Sequence, residues 1–157
     1  MKKILFAAVA CATLLLTGCM TTPYQPTKTP MELQAIQTKE FDTDKKTAFT
    51  SVLSVLQDLG YIIGSADMET GLITAKSPTS QDFVPFVGQR MQDTKVNAFV
   101  EQIAKGRAKI RINFIKSVQT YSGYGMKGEN EHPIEEGEMY QEVFAKIQQA
   151  IFVRSNL

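Results

Sequence analysis

The sequence predicts an α+β domain in which an antiparallel sheet carries two helices packed on one face. Three observations predict it. An apolar stripe at helical spacing runs through Phe49, Val52, Leu53, Leu56 and Leu59. A second stripe, Tyr140, Phe144, Ile147 and Ile151, has the same spacing near the end of the chain. Between them, Ile110, Ile112 and Phe114 alternate with Arg111 and Asn113 at the period of a half-buried strand.

The N-terminal segment stands apart from that domain. Met1-Lys2-Lys3 is followed by an apolar run from Ile4 to Leu16. A permanent membrane helix needs about 20 apolar residues, so the run is too short to span. A basic start followed by a short apolar stretch is instead the layout of a secretory signal. It ends Leu16-Thr17-Gly18-Cys19, which resembles the lipobox of bacterial lipoproteins: an aliphatic residue, two small residues and a cysteine.

The resemblance implies that residues 1–18 form a signal peptide, cut between Gly18 and Cys19 once the Cys19 thiol carries a diacylglycerol. Cys11 then leaves with the signal and Cys19 is blocked. The mature chain is expected to have no disulfide and no thiolate ligand or nucleophile. One acyl chain holds a protein only marginally, at about 0.8 kcal/mol per buried CH₂, so two or three chains make attachment effectively permanent. Met20, where an aspartate would favour the inner membrane in enteric-type lipoproteins, implies delivery to the periplasmic face of the outer membrane.

Residues 19–31 are expected to be the lipidated N-terminus and a tether. Pro23, Pro26 and Pro30, interspersed with Thr21, Thr22, Thr27 and Thr29, disfavour a strand and suit an extended linker. Residues 32–157 are enough for a single domain with a modest core. Removal of Lys2 and Lys3 takes the formal charge from +1 to about −1. No strongly basic face is expected, so nucleic acid is not a predicted partner.

Within the domain, Leu33, Ala35, Gln37 and Phe41 suggest a first strand from Leu33 to Phe41. Asp42-Thr43-Asp44 supplies side-chain oxygens to start the first helix, and Gly60 ends it. Strands begin at Tyr61-Ile62-Ile63 and Leu72-Ile73-Thr74-Ala75, with Glu69-Thr70-Gly71 as the turn. An irregular insert follows Pro78. A second hairpin runs from Lys95 to Val118, reversing at Lys105-Gly106, with Val96, Ala98 and Val100 on one face of its first arm. Phe99 and Ile103, four apart, leave a helix over Val96–Ala104 open as an alternative. The closing helix sets Gln141, Glu142, Lys146, Gln148 and Gln149 opposite its apolar stripe, with Phe152 beside that stripe. The order is thus β-α-β-β-insert-β-β-α, and no fixed-period repeat is present.

The search for chemistry yields little. His132 is the one histidine, beside Pro133 in a polar stretch, and is expected to be a solvated loop side chain. No serine sits in a G-x-S-x-G setting. Gly123, Gly125 and Gly128 lack the strand-to-helix context of a phosphate loop. Glu129, Glu131, Glu135, Glu136 and Glu138 are crowded enough to suggest calcium, which wants several oxygens. They lack EF-hand spacing, however, and glutamates at a helix start are favoured by the helix dipole alone. No carboxylate pair is marked for glycoside hydrolysis. The expectation is therefore no enzyme, no cofactor and no metal site. Phe83 and Phe86, in the apolar insert Phe83-Val84-Pro85-Phe86-Val87, are expected to tuck over the core. If exposed, they would be anchors for a partner.

Three segments, Gln37-Thr38-Lys39-Glu40-Phe41-Asp42-Thr43, Val55-Leu56-Gln57-Asp58-Leu59-Gly60-Tyr61 and Gly71-Leu72-Ile73-Thr74-Ala75-Lys76, resemble short bacterial lipoproteins of poorly defined role. The closing helix from Tyr140 to Phe152 fits the same group, so the resemblance covers most of the mature domain. The element order is also similar to the helix-grip domains of the C-subunit lipoprotein of the outer-membrane barrel-assembly machine. These likenesses imply a binding or scaffolding module and bring no catalytic residues, since a fold alone does not establish function. The expected function is a lipid-anchored, non-enzymatic accessory to another envelope protein. A small apolar-ligand (lipid) binding domain and a cell-wall or glycan hydrolase are the alternatives.

Overall fold

The computed structural model describes residues 24–84, 88–121 and 127–156. The signal peptide, Gly18, Cys19 and Phe86 lie outside the described residues.

Two helices begin where a side chain satisfies free backbone N–H groups. In α1 (Pro30–Ile36) the Thr29 hydroxyl accepts from the Glu32 N–H while the Glu32 carboxylate accepts from the Thr29 N–H, a reciprocal capping box with proline at the first helical position. The chain then extends as β1 (Thr38–Phe41). The strand expected from Leu33 to Phe41 is therefore a helix for its first half. Thr29-Pro30-Met31-Glu32 carried that signal, and the partial alternation of Leu33 and Ala35 concealed it.

In α2 (Lys45–Asp58) Asp44 is the cap and accepts from the Thr47 N–H at 2.9 Å. Of the expected stripe Phe49, Val52 and Leu56 are buried, with Val55 beside them, while Leu53 is partly buried and Leu59, at the helix end, is exposed; the chain turns at Gly60 with φ of 83°. β2 (Ile62–Asp67) and β3 (Leu72–Lys76) form the expected hairpin. Gly71 in its turn has φ of 84°, and its carbonyl accepts from the Val100 N–H at 2.9 Å. A Cβ there would stand 2.1 Å from the Val100 carbonyl oxygen, so only glycine fits.

The insert is not irregular. It begins with β4 (Ser80–Val84), which pairs with the first residues of β5 (Gly88–Ala104). β5 is a strand throughout Val96–Ala104, so the helical alternative fails: alternate residues Val96, Ala98 and Val100 are buried between exposed Asn97 and Phe99. β6 (Arg107–Tyr121) returns antiparallel after a turn at Lys105-Gly106. β7 (Lys127–Pro133) pairs with its far half, where the sequence suggested an acidic loop. α3 (Gly137–Ser155) closes the fold with Glu138 in its first turn and Arg154 in its last, both complementing the helix dipole.

Five of the strands lie in the order β1-β6-β5-β3-β2, while β4 extends the β3 side of β5 and β7 extends the β1 side of β6. Every pairing is antiparallel. The α+β class with two core helices on one sheet face is thus as the sequence predicts, with two more strands and one short helix. The core lies between the sheet and α2 and α3. Ile73, Val96, Val100, Ile110, Ile112 and Phe114 from the strands meet Phe49, Val52, Leu56, Phe144, Ile147 and Ile151 from the helices. Burial of each such side chain contributes roughly 1.5–3 kcal/mol. The Tyr140 hydroxyl, within that core, donates to the Ile134 carbonyl at 3.0 Å, so burial leaves it satisfied. Phe152 points away from the stripe it neighbours and is exposed.

Candidate functional site

β5 and β6 are 17 and 15 residues long, which at about 3.4 Å per residue makes a ribbon of roughly 50 Å. The core uses only the half nearest the turn, where β3 pairs with residues 95–99 of β5 and β1 with residues 108–111 of β6. Beyond Lys95 and Ile115 the ribbon continues as an arm, widened by β4 on one side and β7 on the other.

Strand alternation sorts the arm into two faces. Arg90, Gln92 and Thr94 of β5, with Lys116, Val118 and Thr120 of β6, continue the face that α2 and α3 cover further along. The opposite face carries Phe83, Gln89, Tyr121 and Lys127 in one cross-strand row. The Lys127 ammonium lies 6.0 Å from the Tyr121 ring centre. Phe83 is 75% exposed. The expectation that it tucks over the core is therefore wrong, because its strand places it beyond the reach of either core helix. Phe86 lies outside the described residues.

Nearer the core on the same face, Asp93 is buried and its carboxylate lies 3.5 Å from the Lys76 ammonium. The fully buried Ser117 is its cross-strand partner. The Lys95–Glu131 ion pair spans from β5 to β7 beside them, and its hydrogen bond raises the Lys95 pKa above the ordinary range. Arg90 pairs with Asp82 at 3.1 Å on the other face. The charge is mixed in sign along the whole arm.

At the root of the arm, β7 delivers His132 and the short link before α3 delivers Glu135 to the same cleft. His132 is half-buried in a strand rather than solvated in a loop, and is paired across β6 with Lys116. The Tyr24 ring stacks on it with centroids 4.8 Å apart and planes 22° apart. The Glu135 carboxylate accepts from the Tyr24 hydroxyl and the Thr27 hydroxyl. It also accepts from the backbone N–H groups of Thr27 at 2.9 Å and Lys28 at 3.0 Å. The hydroxyl donations from Thr27 and Tyr24 hold the Glu135 carboxyl down to about 2, and the same bond to Glu135 pushes Tyr24 up to about 12. The cleft, of about 470 Å³, is lined by Tyr24, Lys116, His132, Glu135, Glu136 and Met139 among others.

The crowded glutamates are thus dispersed. Glu129 lies 3.2 Å from the Gln119 amide nitrogen, Glu131 pairs with Lys95, Glu135 holds the N-terminal segment, and Glu138 opens α3. Among the described residues no group of three or more His, Cys, Asp or Glu is placed to hold a metal ion. Among them, too, no helix is long and apolar enough to cross a membrane. Sequence reading missed the Tyr24–Glu135 clasp because its partners are 111 residues apart and neither belongs to a recognisable motif.

No family model matches the chain, and no curated protein matches it. Among solved structures it is similar to a DUF4468 family protein from Bacteroides ovatus, with a TM-score of 0.40 and 8% sequence identity, over 73% of this chain and 84% of that one. It is likewise similar to a TBP-like protein from Parabacteroides distasonis, with a TM-score of 0.40 and 10% identity, over 73% of this chain and 90% of that one.

Proposed function

We propose that the chain is a lipoprotein of the bacterial cell envelope, anchored through acyl chains on Cys19 at the periplasmic face of the outer membrane. There it acts as a non-enzymatic binding or scaffold accessory to another envelope protein. The lipobox-like Leu16-Thr17-Gly18-Cys19 supports the anchor. The observation that carries the binding role is the arm. A four-stranded extension continues the sheet beyond the core cluster and presents Phe83 at 75% exposure. Exposed aromatic side chains flanked by polar residues suit a protein interface, where such rings often supply much of the binding energy. The mixed charges around it, Arg90, Asp82, Lys127 and Glu129, suit a protein surface better than a polyanion.

An apolar ligand between sheet and helices has less support, because Phe41, Phe49, Leu56, Phe144 and Tyr140 fill that space. The hydrolase reading has no observation in its favour.

The test is crosslinking in intact cells followed by recovery of the full lipidated protein. One reproducible envelope partner, lost on Phe83→Ser with an unchanged Tm, is the expected result. Recovery of the protein alone overturns the scaffold reading. Normal lipid-modified protein recovered from a Cys19→Ala strain overturns the anchor.

A further inference from the structure

The N-terminal segment is held to the domain far more closely than a free tether needs. Tyr24 stacks on His132, and one carboxylate, Glu135, accepts four hydrogen bonds from Tyr24, Thr27 and Lys28. Thr29 follows at once and is fixed by the capping box of α1, whose Ile36 packs against the core. The strap is therefore pinned along its length. Pro26 lies within it and has fewer conformations to lose on docking.

The position of these contacts matters because of where the chain leads. Five residue steps separate Cys19 from Tyr24, and eleven separate it from Pro30. Fully extended, those lengths reach at most about 18 Å and about 40 Å respectively. The strap is thus the difference between a short leash and one about twice as long.

We infer that the strap from Tyr24 to Lys28 is a clasp that shortens the lipid tether and keeps the arm in the layer next to the membrane. The partner met by the arm is then a protein embedded in that membrane or lying on it. The inference rests on the proposed anchor at Cys19. The geometry of the arm sets the scale. The row of Phe83 and Tyr121 is five residues beyond Lys116, the cross-strand partner of His132, and β4 is three strands from β7. At the usual strand rise and spacing this puts Phe83 about 22 Å from His132. With the clasp shut and the Tyr24–His132 stack included, Phe83 stays within about 45 Å of the acyl chains. With it open, the whole domain gains up to about 20 Å of further reach.

The experiment uses the lipidated full-length protein in phosphatidylethanolamine–phosphatidylglycerol vesicles. A donor dye is placed at Lys105→Cys, in the turn far from the arm, and acceptor dyes are placed in the headgroups. Hydrogen exchange at Thr27 and Lys28 is followed on the same samples. Glu135→Ala is expected to speed that exchange by about tenfold or more, to lower energy transfer, and to lower Tm by no more than a few degrees. Tyr24→Ala is expected to shift both readouts in the same direction while keeping the carboxylate. Free-peptide exchange at both amides in the unsubstituted protein overturns the clasp, and so does energy transfer that neither substitution alters. Protein that carries no acyl chains and fails to float with vesicles overturns the anchor instead. Exchange at Thr27 and Lys28 in solution still reports on the clasp in that case, so the two failures are distinguishable.

Discussion

The two halves of the β5–β6 ribbon share one backbone ladder and one register, yet they are stabilised differently. Toward the turn, every second residue is apolar and sealed under α2 and α3: Val96, Ala98 and Val100 face Ala108, Ile110, Ile112 and Phe114. Past Lys95 and Ile115 the same face continues as Thr94, Gln92 and Arg90 against Lys116, Val118 and Thr120, none of which belongs to the core cluster. The near half is held by side-chain burial and the far half by cross-strand hydrogen bonds and ion pairs. Exposed ion pairs are worth about 0–1 kcal/mol each, whereas a buried core residue is worth several times that. The arm is therefore expected to be rigid enough to present a surface but cheap to alter, while the core is neither exposed nor tolerant.

This contrast should be sharpest for Phe114→Ala. Phe114 is buried and packs edge-on against Tyr140, ring centres 5.4 Å apart, and tilted against Tyr61, ring centres 6.0 Å apart. Its removal is expected to destabilise the fold by about 3–5 kcal/mol, measured by chemical denaturation. A loss below about 1 kcal/mol would mean that the near half is not the stabilising one. Gly71→Ala comes next. It demands a positive φ from alanine and drives a methyl group onto the Val100 carbonyl. A cost of about 2 kcal/mol or more is expected, with faster amide exchange across β2 and β3.

Phe83→Ser belongs to the arm and should shift stability by no more than about 0.5 kcal/mol. A drop in Tm comparable to that of Phe114→Ala would show that the side chain is buried in solution and would remove the contrast. The smallest effect concerns the clasp at the root of the arm. The Glu135 carboxyl is depressed to about 2, below its unfolded value of about 4.3. Its contribution is therefore complete above the unfolded value and is lost as pH falls through the folded one. Titration followed by the ring resonances of Tyr24 and His132 should show the stack intact at pH 5 and released only toward about pH 2. A stack left unchanged as Glu135 is protonated would show that Glu135 holds no strap.

How much of this was legible beforehand differs between the same two regions. α2, α3, the β2–β3 turn and the near half of the β5–β6 hairpin could all be read, because the apolar period and the cap are written in consecutive residues. Phe49, Val52 and Leu56 announce a buried helical face wherever they occur, and Gly60 and Gly71 occupy positions that need positive φ. β4 and β7, whose sequences are Ser-Gln-Asp-Phe-Val and Lys-Gly-Glu-Asn-Glu-His-Pro, carry no sustained apolar alternation. They are strands because the long ribbon offers them unpaired backbone groups on each side. α1 was legible in principle, through Thr29, Pro30 and Glu32, but competed with a weak strand pattern.

By itself, then, the sequence determined the buried faces of α2, α3 and the near half of the β5–β6 hairpin and which lipidation pattern to expect at Cys19, since local periodicity and short motifs depend only on neighbours along the chain. Only the tertiary structure decided that Phe83 stands in water and that Tyr24 is held by Glu135. The first follows from strand register and the second from a contact across more than a hundred residues, and hydrogen bonds at that separation form between groups that nothing local brings together.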